Sequence, residues 1–71
     1  MKKTFRLQDL DCANCAAKME DGIKKLDGVQ FVSINFMRQS MILEAEDSSF
    51  EQVLESAKKV IKKIEPDVLV R

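Results

Sequence analysis

Two cysteines, Cys12 and Cys15, stand two residues apart in the segment Leu10-Asp11-Cys12-Ala13-Asn14-Cys15. Thiolate sulfur is both a ligand for soft or borderline metal ions and a nucleophile toward disulfides, so the pair has two chemistries open to it. A disulfide between them would close too tight a loop to brace a fold, and in a reducing cytosol CxxC reads as a metal or redox motif. The chain has no His, which removes Ser-His-Asp and Cys-His catalysis, zinc fingers with His ligands and any His-based pH switch. Two sulfurs at this spacing can converge on one ion such as Cu(I), Zn(II) or Cd(II), yet they fill only two coordination positions. Such an open site suits handing a metal on more than locking it away.

The elements around the motif can be read from periodicity. Phe5 and Leu7 alternate with Thr4, Arg6 and Gln8, which predicts a first strand over Lys3 to Gln8. Ala16, Met19, Ile23 and Leu26 recur at helical spacing, predicting a helix from about Asn14 to Leu26 that Asp27-Gly28 stops. Cys12 then lies in the loop and Cys15 in the first helical turn, where free N–H groups and the positive dipole end favour thiolate over thiol. Val29 to Phe36 and Met41 to Glu46 read as a hairpin joined across Met37 to Ser40. Ser48 and Glu51 have the spacing of a capping box, and Phe50, Val53, Leu54, Ala57, Val60, Ile61 and Ile64 then follow the 3.6-residue period. Pro66 ends this second helix, and Val68, Leu69 and Val70 within Asp67 to Arg71 form a short last strand.

The order strand, helix, strand, strand, helix, strand is that of an α+β fold, the ferredoxin-like βαββαβ sandwich with two helices on one face of a four-stranded antiparallel sheet. Seventy-one residues without a linker, repeat or low-complexity tract make one domain, 1–71. The 12 basic and 12 acidic residues cancel, without the basic excess expected of a nucleic-acid binder. RNA-binding domains share this element order, but four Phe with no Tyr or Trp and no net charge argue against them. No apolar run approaches the roughly 18 to 20 residues of a membrane span, and the start lacks a signal-peptide core. A cytoplasmic domain without direct membrane contact is the expectation.

The DCANC segment, the following Ala16-Ala17-Lys18-Met19-Glu20, the Leu26-Asp27-Gly28-Val29 helix stop and the Val32-Ser33-Ile34-Asn35-Phe36 strand together resemble the heavy-metal-associated domain, over essentially the whole chain. That family comprises small metallochaperones and the cytosolic N-terminal domains of metal-transporting P-type ATPases. The resemblance implies a non-enzymatic metal-binding domain, with Cys12 and Cys15 as the thiolate ligands and a metal-transporting P-type ATPase as partner, in cis or in trans. A monomer is expected, with a metal-bridged dimer as the alternative.

Departures from the family pattern bear on the metal. Copper-handling members typically carry Gly-Met-Thr or Gly-Met-Ser before the first Cys, where this chain has Asp9-Leu10-Asp11. Asp directly before CxxC resembles the branch that exports zinc, cadmium and lead. Charge supports the same bias: Cu(I) with two thiolates is already a net anion that a carboxylate repels, whereas a divalent ion with two thiolates is neutral and gains from an oxygen ligand. The Lys, Tyr or Phe that copper members often carry after the second helix is replaced here by Glu65-Pro66, which makes Glu65 a candidate further ligand. The expected cargo is therefore Zn(II) or Cd(II), with Pb(II) a third option and Cu(I) the alternative.

Each of these residues also has a simpler role open to it. The cysteines could be small buried hydrophobes, Asp11 a helix N-cap, Glu65 a solvated helix-end carboxylate and Asp9 a plain loop residue. Met19 and Met41 fall on apolar stripes and should pack in the core, and Leu10 should pack beneath the metal loop. Lys58, Lys59, Lys62 and Lys63 read as a solvated helix face that could steer an acidic partner. A thiol-disulfide oxidoreductase is the rival reading of CxxC at a helix start, but the chain is shorter than a thioredoxin-like fold.

Overall fold

The computed structural model describes all 71 residues, Met1–Arg71. The elements follow in the order β1 (Lys2–Gln8), α1 (Ala13–Lys24), β2 (Val29–Asn35), β3 (Ser40–Ala45), α2 (Phe50–Ile64) and β4 (Leu69–Val70). The strands form one antiparallel sheet in the order β2-β3-β1-β4. This is the expected ferredoxin-like arrangement, with both helices packed on one face.

Alternation along the strands decides which face that is. On β3, Met41, Leu43 and Ala45 are fully buried while Ser40, Ile42 and Glu44 between them are only partly covered. On β1, Leu7 is fully buried, and the half-buried Phe5 ring stacks with Phe50 at the start of α2, centroids 6.4 Å apart. Met19 and Ile23 of α1 and Ala57 and Ile61 of α2 close the core from above. Met19 and Met41 are thus packing residues, as their stripes imply, and each fully buried side chain of this size is worth about 1.5–3 kcal/mol of transfer free energy. By contrast Met37, in the β2–β3 turn, is 88% exposed.

Two helix ends differ from the sequence reading. Helix α1 stops at Lys24, not Leu26, because the chain tightens there: the Leu26 N–H donates three residues back to the Ile23 carbonyl at 3.0 Å. Helix α2 begins at Phe50 with Ser49 as N-cap, and no side-chain cap bond forms. The Ser48–Glu51 box is therefore out of frame by one residue. The start is better explained by burial of Phe50, 3% exposed, against Phe5.

The short last strand does more than its two residues suggest. Leu7 and Gln8 pair with Val70 and Leu69, and Arg6 and Arg71 exchange both backbone hydrogen bonds at 2.8 Å beyond them. That ladder fixes the chain after α2 against β1, the strand that leads into the cysteine loop. Val68, 6% exposed, anchors the connection in the core.

Glycine is required at two places where elements meet. Gly22 brings α1 against α2 so closely that a Cβ there would lie 2.9 Å from Val60 Cγ1. Gly28 turns the chain from α1 into β2 at φ +92°, a left-handed conformation that side chains resist, and a Cβ would also meet Val53 Cγ2 at 3.0 Å. Gly28→Ala should accordingly lower the unfolding free energy by about 1–3 kcal/mol. Urea denaturation with an unchanged slope checks this, and a variant as stable as the wild type would show that the turn relaxes.

Candidate metal centre

The loop from β1 to α1 begins at Asp9, whose φ of 67° lies in the left-handed region that Asp tolerates better than most residues. That turn sends Leu10 inward, where it is fully buried beneath the loop, and leaves Asp11 exposed. Cys12 follows in extended conformation (φ −129°, ψ 110°) as the N-cap of α1. Its carbonyl accepts the first helical hydrogen bond from Ala16 N–H at 3.0 Å, while its Sγ accepts from Cys15 N–H at 3.2 Å. Sulfur thus occupies the capping role usually filled by a Ser, Thr, Asn or Asp oxygen. The cap role considered for Asp11 belongs to Cys12, because Asp11 stands one residue too early.

The third member comes from the other end of the chain. Glu65 is the C-cap of α2, at φ −137° and ψ 92°. The ring of a proline clashes with helical geometry at the residue before it, so Pro66 drives Glu65 out of the helix into extended backbone. A turn bond from Val68 N–H to the Glu65 carbonyl, 3.2 Å, holds the bend. The Glu65 carboxylate there accepts a hydrogen bond from Cys15 Sγ at 3.3 Å. The two sulfurs and one Glu65 oxygen all lie within 4.8 Å of one another, and all three residues are half-buried. Asp11 stands outside this trio.

The two thiols disturb each other's protons. Cys12 is held below the ordinary thiol range, chiefly by hydrogen bonds from the Cys15 thiol and then from the Cys15 backbone N–H. Cys15 is pushed up to about 12, first because its proton is shared with Cys12, then by desolvation and by its bond to Glu65. The pair is therefore unequal: Cys12 ionises first, and Cys15 keeps its proton as donor to both neighbours. Neither is in a disulfide.

Sequence reasoning put Cys12, Cys15, Asp11 and Glu65 forward, and the fold brings the first, second and fourth together. It missed Gln39, in the β2–β3 turn, which touches the loop from the far side. Its side-chain N–H donates to the Leu10 carbonyl and its own carbonyl accepts from Leu7 N–H at 2.8 Å. A polar residue in a hairpin turn carries no signal for such a contact. The unequal thiols have a direct consequence: at about pH 8, Cys12 should react with iodoacetamide at least about tenfold faster than Cys15, since only thiolate attacks. Peptide mapping of partially alkylated protein reads the ratio, and equal rates would refute the asymmetry.

Known proteins resemble this chain in sequence and in structure. The heavy-metal-associated domain model matches residues 4–67. A cadmium, zinc and cobalt-transporting ATPase of Bacillus subtilis (strain 168) is 34% identical over 71 residues, all of this chain but 10% of that protein's length. The N-terminal domain of ZntA in its Zn(II) form superposes with a TM-score of 0.68 at 27% identity, covering 99% of this chain and 88% of that one. A CopZ metallochaperone superposes over the full length of both chains with a TM-score of 0.76, and at 17% identity it shows the fold alone. With the match spanning nearly the whole chain and a CxxC pair at the start of α1, the chain belongs to the heavy-metal-associated domain family and is a metal-binding module.

Proposed function

We propose that this domain takes up a divalent soft or borderline ion, Zn(II) or Cd(II) with Pb(II) also fitting, and delivers it to, or regulates, a heavy-metal-exporting P-type ATPase. The observation that carries this reading is the Glu65 carboxylate, 3.3 Å from Cys15 Sγ, where a cation or aromatic ring would suit copper. Cys12 and Cys15 supply two thiolates, Glu65 supplies an oxygen, and Asp11 at the exposed edge is the proposed fourth ligand.

Charge decides between the metals. Two thiolates and one carboxylate total three negative charges, which a divalent ion reduces to one and Cu(I) only to two. A single extra charge pair about 4 Å apart costs about 4 kcal/mol at an effective dielectric of about 20, and less where solvent screens it. Even a fraction of that changes relative affinity more than tenfold. The similarity to the Bacillus subtilis cadmium, zinc and cobalt-transporting ATPase supports the same choice, and no helix here is long and apolar enough to cross a membrane. Transport across a bilayer is thus assigned to an ATPase partner, in cis or in trans, on the cytosolic side.

Transfer follows from the partial burial of the ligands. Incoming ligands on a partner can occupy coordination positions on the solvent side before the first thiolate leaves, so the ion never passes through a two-coordinate state. As metal leaves, Cys15 regains its proton and its bonds to Cys12 and Glu65, which favours release.

An anaerobic competition titration of the reduced protein with Cd(II), Zn(II) and Cu(I) tests the assignment. Glu65→Gln keeps the shape but removes the charge, and should weaken divalent binding about tenfold while leaving Cu(I) affinity equal or higher. Asp11→Ala should act in the same sense if it completes the shell. Divalent affinity unchanged in Glu65→Gln, with Cu(I) affinity reduced, would overturn the divalent reading.

The pH dependence has a definite sign. Between the depressed ionisation of Cys12 and about 12, Cys15 is protonated in the metal-free domain, and the ion must displace that proton. Raising pH removes the competitor, so the apparent Cd(II) affinity should rise at least about tenfold per pH unit between about pH 7 and about pH 9. A flat profile across that interval would mean that both sulfurs are already ionised.

A further inference from the structure

We infer that Gln39, in the turn between β2 and β3, is a positioning residue for the cysteine loop, setting where Cys12 presents its sulfur. The inference rests on the metal-binding reading above.

The β1–β3 ladder ends at the Arg6–Ser40 pair, so the segment from Leu7 to Cys12 leaves the regular sheet on one side. Gln39 continues the contact alone. Its backbone carbonyl accepts from Leu7 N–H at 2.8 Å, and its side-chain amide donates to the Leu10 carbonyl, so one residue ties the loop before and after the left-handed turn at Asp9. Leu10 is fully buried and lies two residues before Cys12, the sulfur that also caps α1. The backbone on either side of Asp9 is therefore held from the turn, at the Leu7 N–H and the Leu10 carbonyl, while α1 holds the Cys12 end.

The turn is built to hold that arm still. Asn35 Oδ1 accepts from Arg38 N–H at 3.0 Å, and the Phe36 carbonyl accepts from Gln39 N–H at 3.2 Å, closing the hairpin. Gln39 itself sits at φ +52°, a left-handed conformation that Gly or Asn would adopt more readily. A long amide donor at a position that disfavours it fits a contact specific to the side chain, since a turn alone would be better served by either of those residues. Loop carbonyls that are left without a donor regain freedom, and ligands at the end of a loosened loop bind with lower affinity.

The test compares Gln39→Met, of similar length without a donor, with Gln39→Lys, which restores a donor of comparable reach. Cd(II) competition titrations are run on the reduced protein well below its unfolding temperature, with thermal unfolding of the metal-free domain measured in parallel. The expected result is a three- to tenfold loss of Cd(II) affinity in Gln39→Met, about what one hydrogen bond is worth, with the ultraviolet thiolate-to-cadmium band retained and Gln39→Lys within about twofold of the wild type. A lower unfolding temperature in Gln39→Met with Cd(II) affinity unchanged would make Gln39 merely structural and overturn the inference. So would Gln39→Lys binding as weakly as Gln39→Met. A wild-type domain that binds no Cd(II) at all would instead defeat the metal reading itself, before any variant is compared.

Discussion

The hydrogen bond from Cys15 N–H to Cys12 Sγ ties the chemistry of this domain to its architecture. One sulfur both ends the loop and begins the helix, so the first ligand is tied directly to the N-terminus of α1. The second ligand lies three residues further along, on the first helical turn, and the spacing of the pair follows from helix geometry. A helix N-terminus stabilises negative charge, and a bound thiolate satisfies orphan donors that would otherwise face water. Ligand, cap and charge site coincide in one atom.

The rest of the fold brings a carboxylate to that point from fifty residues away. Pro66 forces Glu65 out of α2, Val68 anchors the bend in the core, and the β4 ladder to β1 holds both ends of the site in register. The site is thereby gripped on three sides: by α1 through its cap, by the α2–β4 connection through Glu65 on Cys15 and by the β2–β3 turn through Gln39 on the loop. None of these grips is a large hydrophobic contact. Beneath them lies a fully buried, close-packed layer of Leu10, Leu7 and Met19. Small domains of this size have little stability to spare, so an ion that binds only the folded arrangement would add measurably to it.

A competition between electrostatic terms governs the site when no metal is bound. Three acidic groups within 4.8 Å cannot all be charged at low cost, and the arrangement resolves this by leaving the proton on Cys15. A cation takes over the same role. The metal-free hydrogen bonds of Cys15 to its two neighbours and a metal complex are therefore alternative solutions to one problem of charge repulsion.

The sequence alone determined the element order, the faces of β3 and both helices, the turn at Gly28 and the pair of cysteines, because each is written in local periodicity or in a residue whose backbone preference is strong, although α1 ends at Lys24, before the Leu26 that the periodicity implies. Those signals act over a few residues and agree here with the tertiary packing. The frame of the α2 cap was misread because Ser48 and Ser49 are locally equivalent, and burial of Phe50 against Phe5 chose between them. The sequence nominated Asp11 first, from its place directly before the cysteine pair, and Glu65 only as a further carboxylate that could add oxygen. Only the tertiary structure decided which of them stands beside the sulfurs, and only it revealed Gln39. Contacts between residues 15 and 65, or 10 and 39, depend on how layers stack and strands register, and no local pattern encodes a distance across the fold.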